Sequence, residues 1–153
     1  MKGDGSVISS FEYQLDNVGN RLGVLEATGV RTTWSYDSIY QLVGEHRTAA
    51  APAGYNITYI YDPVGNRLMM NAAGALTTCS YDAANQLQTL VDATGTTTFT
   101  FDASGNQQIE NAPTGRTTNS WDYENQLTRV ALTSGARVTM AYDADFLRVR
   151  KET

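Results

Sequence analysis

One cysteine, one histidine and three prolines in 153 residues exclude several classes of protein at the outset. A lone thiol, Cys79, rules out an internal disulfide framework and leaves the redox compartment open. Charged residues make up only 18% of the chain, against roughly a quarter in an average soluble domain. The formal net charge of −5 argues against a nucleic-acid-binding surface. No run approaches the roughly 18 apolar residues that span a bilayer, so no membrane insertion by a helix is expected. The opening stretch, MKGDGSVISS, lacks the basic and apolar regions of a secretory signal. Export is therefore expected from a signal elsewhere in a longer parent chain, or not at all. Helical periodicity is missing as well, over any long stretch.

What is present is a repeated phrase. Aspartates fall at Asp16, Asp37, Asp62, Asp82, Asp102, Asp122 and Asp143, at intervals of 21, 25, 20, 20, 20 and 21 residues. The residues before them are Leu15, Tyr36, Tyr61, Tyr81, Phe101, Trp121 and Tyr142, aromatic in six of the seven cases. A second punctuation runs between them at Gly29, Gly54, Gly74, Gly95, Gly115 and Gly135. Two turn signals per unit mean two short strands. In TTTFTFD, Thr97, Phe99 and Phe101 share one face of a strand, and Thr98 and Thr100 the other. The same parity holds for Ile57, Tyr59 and Tyr61 and for Val138, Met140 and Tyr142, with Trp34, Tyr36, Cys79 and Tyr81 continuing the apolar column. Ser35, Thr58, Ser80, Thr118, Ser120 and Thr139 take the opposite face. The expected fold is all-β, an antiparallel meander of hairpins with one aromatic, packed face and one small, hydroxylated face.

The turns have a local mechanism. In Asp62-Pro63-Val64-Gly65 the aspartate accepts a bond from the backbone N–H two residues on. The proline presets φ for a type I turn, and the glycine takes the left-handed αL conformation of a three-residue hairpin with a bulge. Gly19, Gly65 and Gly105 occupy that αL position in alternate units, and Asn85 and Asn125 occupy it between them. After the glycine turns the next large apolar residue lies six past the aspartate (Leu22, Leu68), and otherwise five past it (Leu42, Leu87, Leu127). A one-residue change reverses facing unless a bulge absorbs it, which predicts a true period of two units. Residues 1–153 thus read as one array of about seven units of 20–25 residues, paired into double units of about 40. An open sheet of some fourteen strands exceeds the ~10 that strongly twisted sheets usually reach. Its expected form is a strongly curved wall or a barrel-like roll, with open edges satisfied by self-association.

The phrases YDPVGNRL, YDAANQL and YDADFLRVRKET resemble the YD repeats of the Rhs family, which includes bacterial polymorphic toxins, insecticidal toxin-complex shells and the teneurins of animal cell surfaces. The resemblance runs from about Phe11 to the C-terminus. It implies a β-sheet spiralling into a hollow shell, a role in enclosing a toxin segment or in building a cell-surface scaffold, and a secreted or cell-surface location. Neither the family's autoproteolytic aspartates nor its toxin segment is matched in these residues, so neither is carried over. Tyr40 and Phe146 stand at the αL position where the family has glycine. A bulky side chain is unfavourable at φ > 0, so those two turns are expected to depart from the others.

Each reactive-looking residue also has a plain reading. The aspartates are about 20 residues apart and lack the clustered oxygens of a calcium loop, which favours turn capping over metal binding, and no cofactor is expected. The tyrosines share the apolar parity, which favours packing over a sugar platform. His46 lies in the unit that runs five residues long, beside no marked nucleophile, and reads as an exposed loop residue. Cys79 takes a column position and reads as buried. The threonine-rich face is explained by β-propensity on a solvated surface. Arg148, Arg150 and Lys151 read as a solvated final strand. Two functions remain: a non-catalytic module of a repeat shell, whose partners are further repeats, copies of itself or an enclosed segment; or a glycan- or protein-binding module using an aromatic patch or a sheet edge. An enzyme is disfavoured, because no nucleophile–base pair and no catalytic residue is found.

Overall fold

Among the described residues the alternating pattern produces strands and no helix. The computed structural model describes residues 9–49 and 53–153. The chain divides into two compact halves, Met1–Leu76 and Thr77–Thr153. The first carries β1 (Phe11–Leu15), β2 (Arg21–Glu26), β3 (Arg31–Tyr36), β4 (Leu42–Thr48), β5 (Tyr55–Tyr61) and β6 (Arg67–Ala72). After β7 (Ala75–Tyr81), the second carries β8 (Leu87–Asp92), β9 (Gly95–Phe101), β10 (Gln107–Ala112), β11 (Gly115–Trp121), β12 (Leu127–Leu132), β13 (Arg137–Tyr142) and β14 (Arg148–Glu152). Within each half every strand pairs antiparallel with its neighbours in sequence. The fold is an all-β antiparallel meander. Among the described residues β1 pairs with β2 and β14 with β13.

Register follows one rule. The residue seven past a turn aspartate faces the residue four before the next: Gly23 with Thr33, Gly44 with Thr58, Thr89 with Thr98, Ile109 with Thr118 and Arg129 with Thr139. The extra residues between Asp37 and Asp62 fall around the loop 49–54 and leave the rule intact. Residues 50–52 of that loop lie outside the described part. Inside each hairpin the ladder shifts where the turn begins, so that Leu15 faces Arg21 while Gln14 faces Gly23, and Tyr36 faces Leu42 while Ser35 faces Gly44. The same bulge recurs at Tyr61, Tyr81, Phe101, Trp121 and Tyr142. Both kinds of turn therefore carry it. The alternation in the sequence is not an alternation of bulges.

The αL position is filled in every aspartate turn. Its φ is 94° at Gly19 and Gly65, 85° at Gly105, 60° at Asn85 and 61° at Asn125. Tyr40 and Phe146, expected to break the pattern, adopt it too, at 65° and 63°. Their N–H groups donate to Asp37 O and Asp143 O at 3.2 and 3.1 Å, like the glycines and asparagines elsewhere. The turn's other hydrogen bonds outweigh the steric penalty of a large residue at φ > 0, which is of the order of 1 kcal/mol. Phe146 is 58% exposed, so its ring recovers little by packing. Phe146→Gly is accordingly expected to raise the melting temperature by roughly 1–3 °C, net of the added freedom of the unfolded chain. A lower melting temperature in a thermal scan would contradict this account of the last turn.

Burial is shallow. Among the described residues only Gly23, Val24 (7% exposed) and Thr32 (4%) are buried, on β2 and β3, and no side chain is fully enclosed. The aromatic column is half-buried, because among the described residues each half is a single layer with nothing packed over it. Cys79, expected to be buried, is half-exposed for the same reason. The column also holds charge: Trp34 faces Glu45, and Glu26 reaches Arg47 at 2.5 Å across strands. That contact, through the side-chain hydrogen bond to Arg47, holds the Glu26 carboxyl below its ordinary range. His46 is exposed as expected, but on β4 rather than in a loop.

Candidate functional site

The chemistry-bearing residues of this chain converge on the row of aspartate turns. Each aspartate backbone N–H donates to the carbonyl four residues on, at 2.9–3.1 Å, and the αL residue returns a bond to the aspartate carbonyl. The side chain then adds two more. Oδ1 of Asp16 accepts from Val18 N–H at 3.0 Å and Asn20 N–H at 2.8 Å. The pattern repeats at Asp37 with Ile39 and Gln41, at Asp62 with Val64 and Asn66, and at Asp82 with Ala84 and Gln86. It continues at Asp102 with Ser104 and Asn106, Asp122 with Glu124 and Gln126, and Asp143 with Asp145 and Leu147. A carboxylate is the side chain for this task because its oxygen accepts two N–H bonds at once while leaving the second oxygen free.

What the second oxygen does distinguishes alternate units. The residue four past the aspartate is asparagine in the glycine turns, and its Nδ2 donates to Oδ2: Asn20 to Asp16 at 2.8 Å, Asn66 to Asp62 at 2.9 Å, Asn106 to Asp102 at 3.0 Å. Burial pushes the carboxyls of Asp16 and Asp62 up, but these amide and backbone bonds outweigh it and leave both lowered. At Asp102 the Asn106 amide is the leading cause of a lowered value. In the intervening turns the residue is glutamine, which reaches forward instead. A Cβ on Gly65 would come within 3.2 Å of Gln41 Nε2, and one on Gly105 within 3.4 Å of Gln86 Nε2. Glycine at the αL position thus leaves room for the preceding turn's amide. In the other direction Asn106 Nδ2 donates to Oδ1 of Asn125 in the next turn at 2.8 Å. These turn-to-turn amides follow the alternation of glycine with the other residues at the αL position. The Gly-Asn and Asn-Gln pairs signal it in the sequence, although the spacing of the leucines drew attention to a bulge instead. In the last turn Phe146 and Leu147 replace both polar residues, and the buried Nε2 of Gln126, in the turn before, has no partner among the described residues.

At Tyr36, Tyr61, Trp121 and Tyr142 the residue before the aspartate ties its hairpin to the preceding one. Tyr36 Oη donates to Arg21 O at 3.1 Å, Tyr61 Oη to Leu42 O at 2.9 Å, Trp121 Nε1 to Gln107 O at 2.9 Å and Tyr142 Oη to Leu127 O at 3.1 Å. Each acceptor is the residue five past the previous aspartate, where the bulge has shifted the ladder and left a carbonyl in need of a donor. Burial pushes the Tyr61 phenol upward, which keeps it protonated and donating. Leu15 and Phe101 hold the same place in the repeat with no donor to offer. Sequence reasoning assigned the column to packing and missed this tether. The signal was the preference for Tyr and Trp, which carry a polar tip, at five of the seven positions.

Nothing else gathers reactive groups. Among the described residues no three His, Cys, Asp or Glu side chains are placed to hold a metal ion. No helix there is long and apolar enough to cross a membrane. What the arrangement does is mechanical: it fixes hairpin to hairpin.

Fold and turn row together define a structural β-repeat module. Residues 81–117, which contain the turns at Asp82 and Asp102, match the RHS Repeat family. The chain is similar in fold to part of the crystal structure of TcdB2-TccC3-Cdc42, with a TM-score of 0.67 at 17% identity, covering 94% of this chain and 9% of that one. It is also similar to TcdB2-TccC3, with a TM-score of 0.61 at 18% identity, covering 99% of this chain and 12% of that one. The chain therefore spans about a tenth of the length of those proteins. No curated protein matches it.

Proposed function

We propose that the chain is a non-catalytic module of a β-repeat shell that encloses or displays a toxin or another protein segment outside the cell or at its surface. The supporting observation is that the same parts recur from unit to unit: the turn carboxylates close each hairpin, and the aromatic donors and the register join it to its neighbour. An enzyme or a binding site concentrates such groups at one place; a wall distributes them. In this reading the chain is one array built in double units, with a curved sheet and edges at which further repeats add.

Whole-unit deletion tests it. Removing residues 83–122 fuses Asp82 to Tyr123 and takes out one double unit while keeping every turn in phase. Stability in repeat arrays is close to a sum over units and nearest-neighbour interfaces, so this variant is expected to fold with an unchanged β spectrum. Removing only residues 103–122 fuses Asp102 to Tyr123, takes out the Gly105 turn and sets two asparagine turns in succession, and is expected to melt at a lower temperature than the larger deletion. If the double-unit deletion unfolds while the single-unit deletion folds, the proposal is wrong.

A further inference from the structure

We propose that β14 of one copy pairs antiparallel with β1 of a second copy, continuing the register that joins hairpins within each copy. The proposal deepens the scaffold reading and rests on it, since it names what one of the edges accepts. All residues of β1 and β14 are exposed. They include Phe11 (60%), Tyr13 (52%) and Val149 (64%), each of which would cover apolar surface on a neighbouring strand. Unpaired strand edges of this kind are templates for another chain.

The internal register says how a second copy would sit. Five interfaces between consecutive hairpins obey the same rule, seven past one aspartate against four before the next. Applied to Asp143 and to Asp16 of the second copy, it sets Arg150 opposite Glu12. The same register places Lys151 opposite Phe11, as Val24 stands opposite Thr32. None of the five internal pairs at that position is an ion pair; only this junction brings a cation against a carboxylate. The faces agree as well. Lys151 faces Met140 and Tyr13 faces Val24, so Val149, Lys151, Phe11 and Tyr13 all fall on the aromatic side, while Arg150 and Glu12 fall on the hydroxylated side. Arg150 already contacts Glu152 two residues along its own strand, both exposed, and Glu12 would approach it from across the junction. Such a contact is head-to-tail and leaves a free β14 and a free β1 after each addition, so copies keep adding.

Sedimentation velocity over a range of concentrations tests this on the intact chain. Average mass is expected to rise with concentration. Arg150→Glu and Glu12→Arg alone should each weaken association by roughly tenfold, through like charges placed opposite one another. Mixing the two variants should restore it, because every junction in an alternating assembly regains an opposite-charge pair. Both sites are exposed, and circular dichroism of each variant establishes that it is folded. A chain that stays monomeric throughout overturns the proposal, and so does association indifferent to both reversals and to their mixing. Either result leaves the deletion test of the scaffold reading standing on its own.

Discussion

Trp121→Ala is expected to destabilise the chain by about 2–3 kcal/mol, less than the cost of truncating a fully buried tryptophan because the ring is half-exposed. Two losses combine. The indole face leaves the aromatic column of the second half, and the Nε1–H no longer satisfies Gln107 O at the bulge. Asn119 Nδ2 also donates to that carbonyl, at 3.1 Å, so the acceptor is not orphaned. Trp121→Phe separates the terms, since it keeps most of the ring and removes the donor; about 1 kcal/mol is expected for it. Urea titration followed by circular dichroism provides the comparison. Should both variants lie within experimental error of the parent, the tether contributes nothing and the column is mere surface.

Gly115→Val is expected to cost more than Gly135→Val, although both glycines have positive φ between consecutive hairpins, Gly115 as the first residue of β11 and Gly135 in the bend before β13. Gly135, at φ 85°, has nothing within 4 Å of where a Cβ would stand, so only backbone strain opposes substitution. Gly115, at φ 147°, would put a Cβ 2.8 Å from Thr133 Oγ1 and 3.1 Å from its Cβ. That threonine is not free to retreat, because its hydroxyl accepts from Arg116 N–H and donates to Arg116 O. Thr48 holds Arg31 by the same pair of bonds in the first half. Strain alone predicts about 1–2 kcal/mol at Gly135, and strain plus the displaced threonine about 2–4 kcal/mol at Gly115. At roughly 2–4 °C per kcal/mol for a chain of this size, the two melting temperatures should separate clearly. Equal losses would mean that the Thr133 clamp yields at no cost.

The hairpins and their turns were legible because they rest on local chemistry. Alternation at Thr97, Phe99 and Phe101 depends on the pleat of one strand, and Asp62-Pro63-Val64-Gly65 closes within a few residues. The expectation for Tyr40 and Phe146 failed at the point where a local rule met a cooperative one. Steric preference disfavours them at φ > 0, yet the bonds to the Asp37 and Asp143 carboxylates and carbonyls impose the conformation regardless of the side chain. Cys79 failed differently. Its parity placed it in the column, but parity says which face a residue takes and not whether anything covers that face.

By itself, then, the amino-acid order determined the strand period and the turn positions, which are read over spans shorter than two repeats. The tertiary structure decided where the polar tips go. Tyr61 finds a carbonyl 19 residues back and Arg47 a carboxylate 21 residues back. Those partners depend on a register that places every seventh residue past one aspartate against the fourth before the next, and a bulge of one residue shifts it. Such partners belong to neighbouring strands rather than to neighbouring residues, so only the assembled sheet brings them within hydrogen-bonding distance.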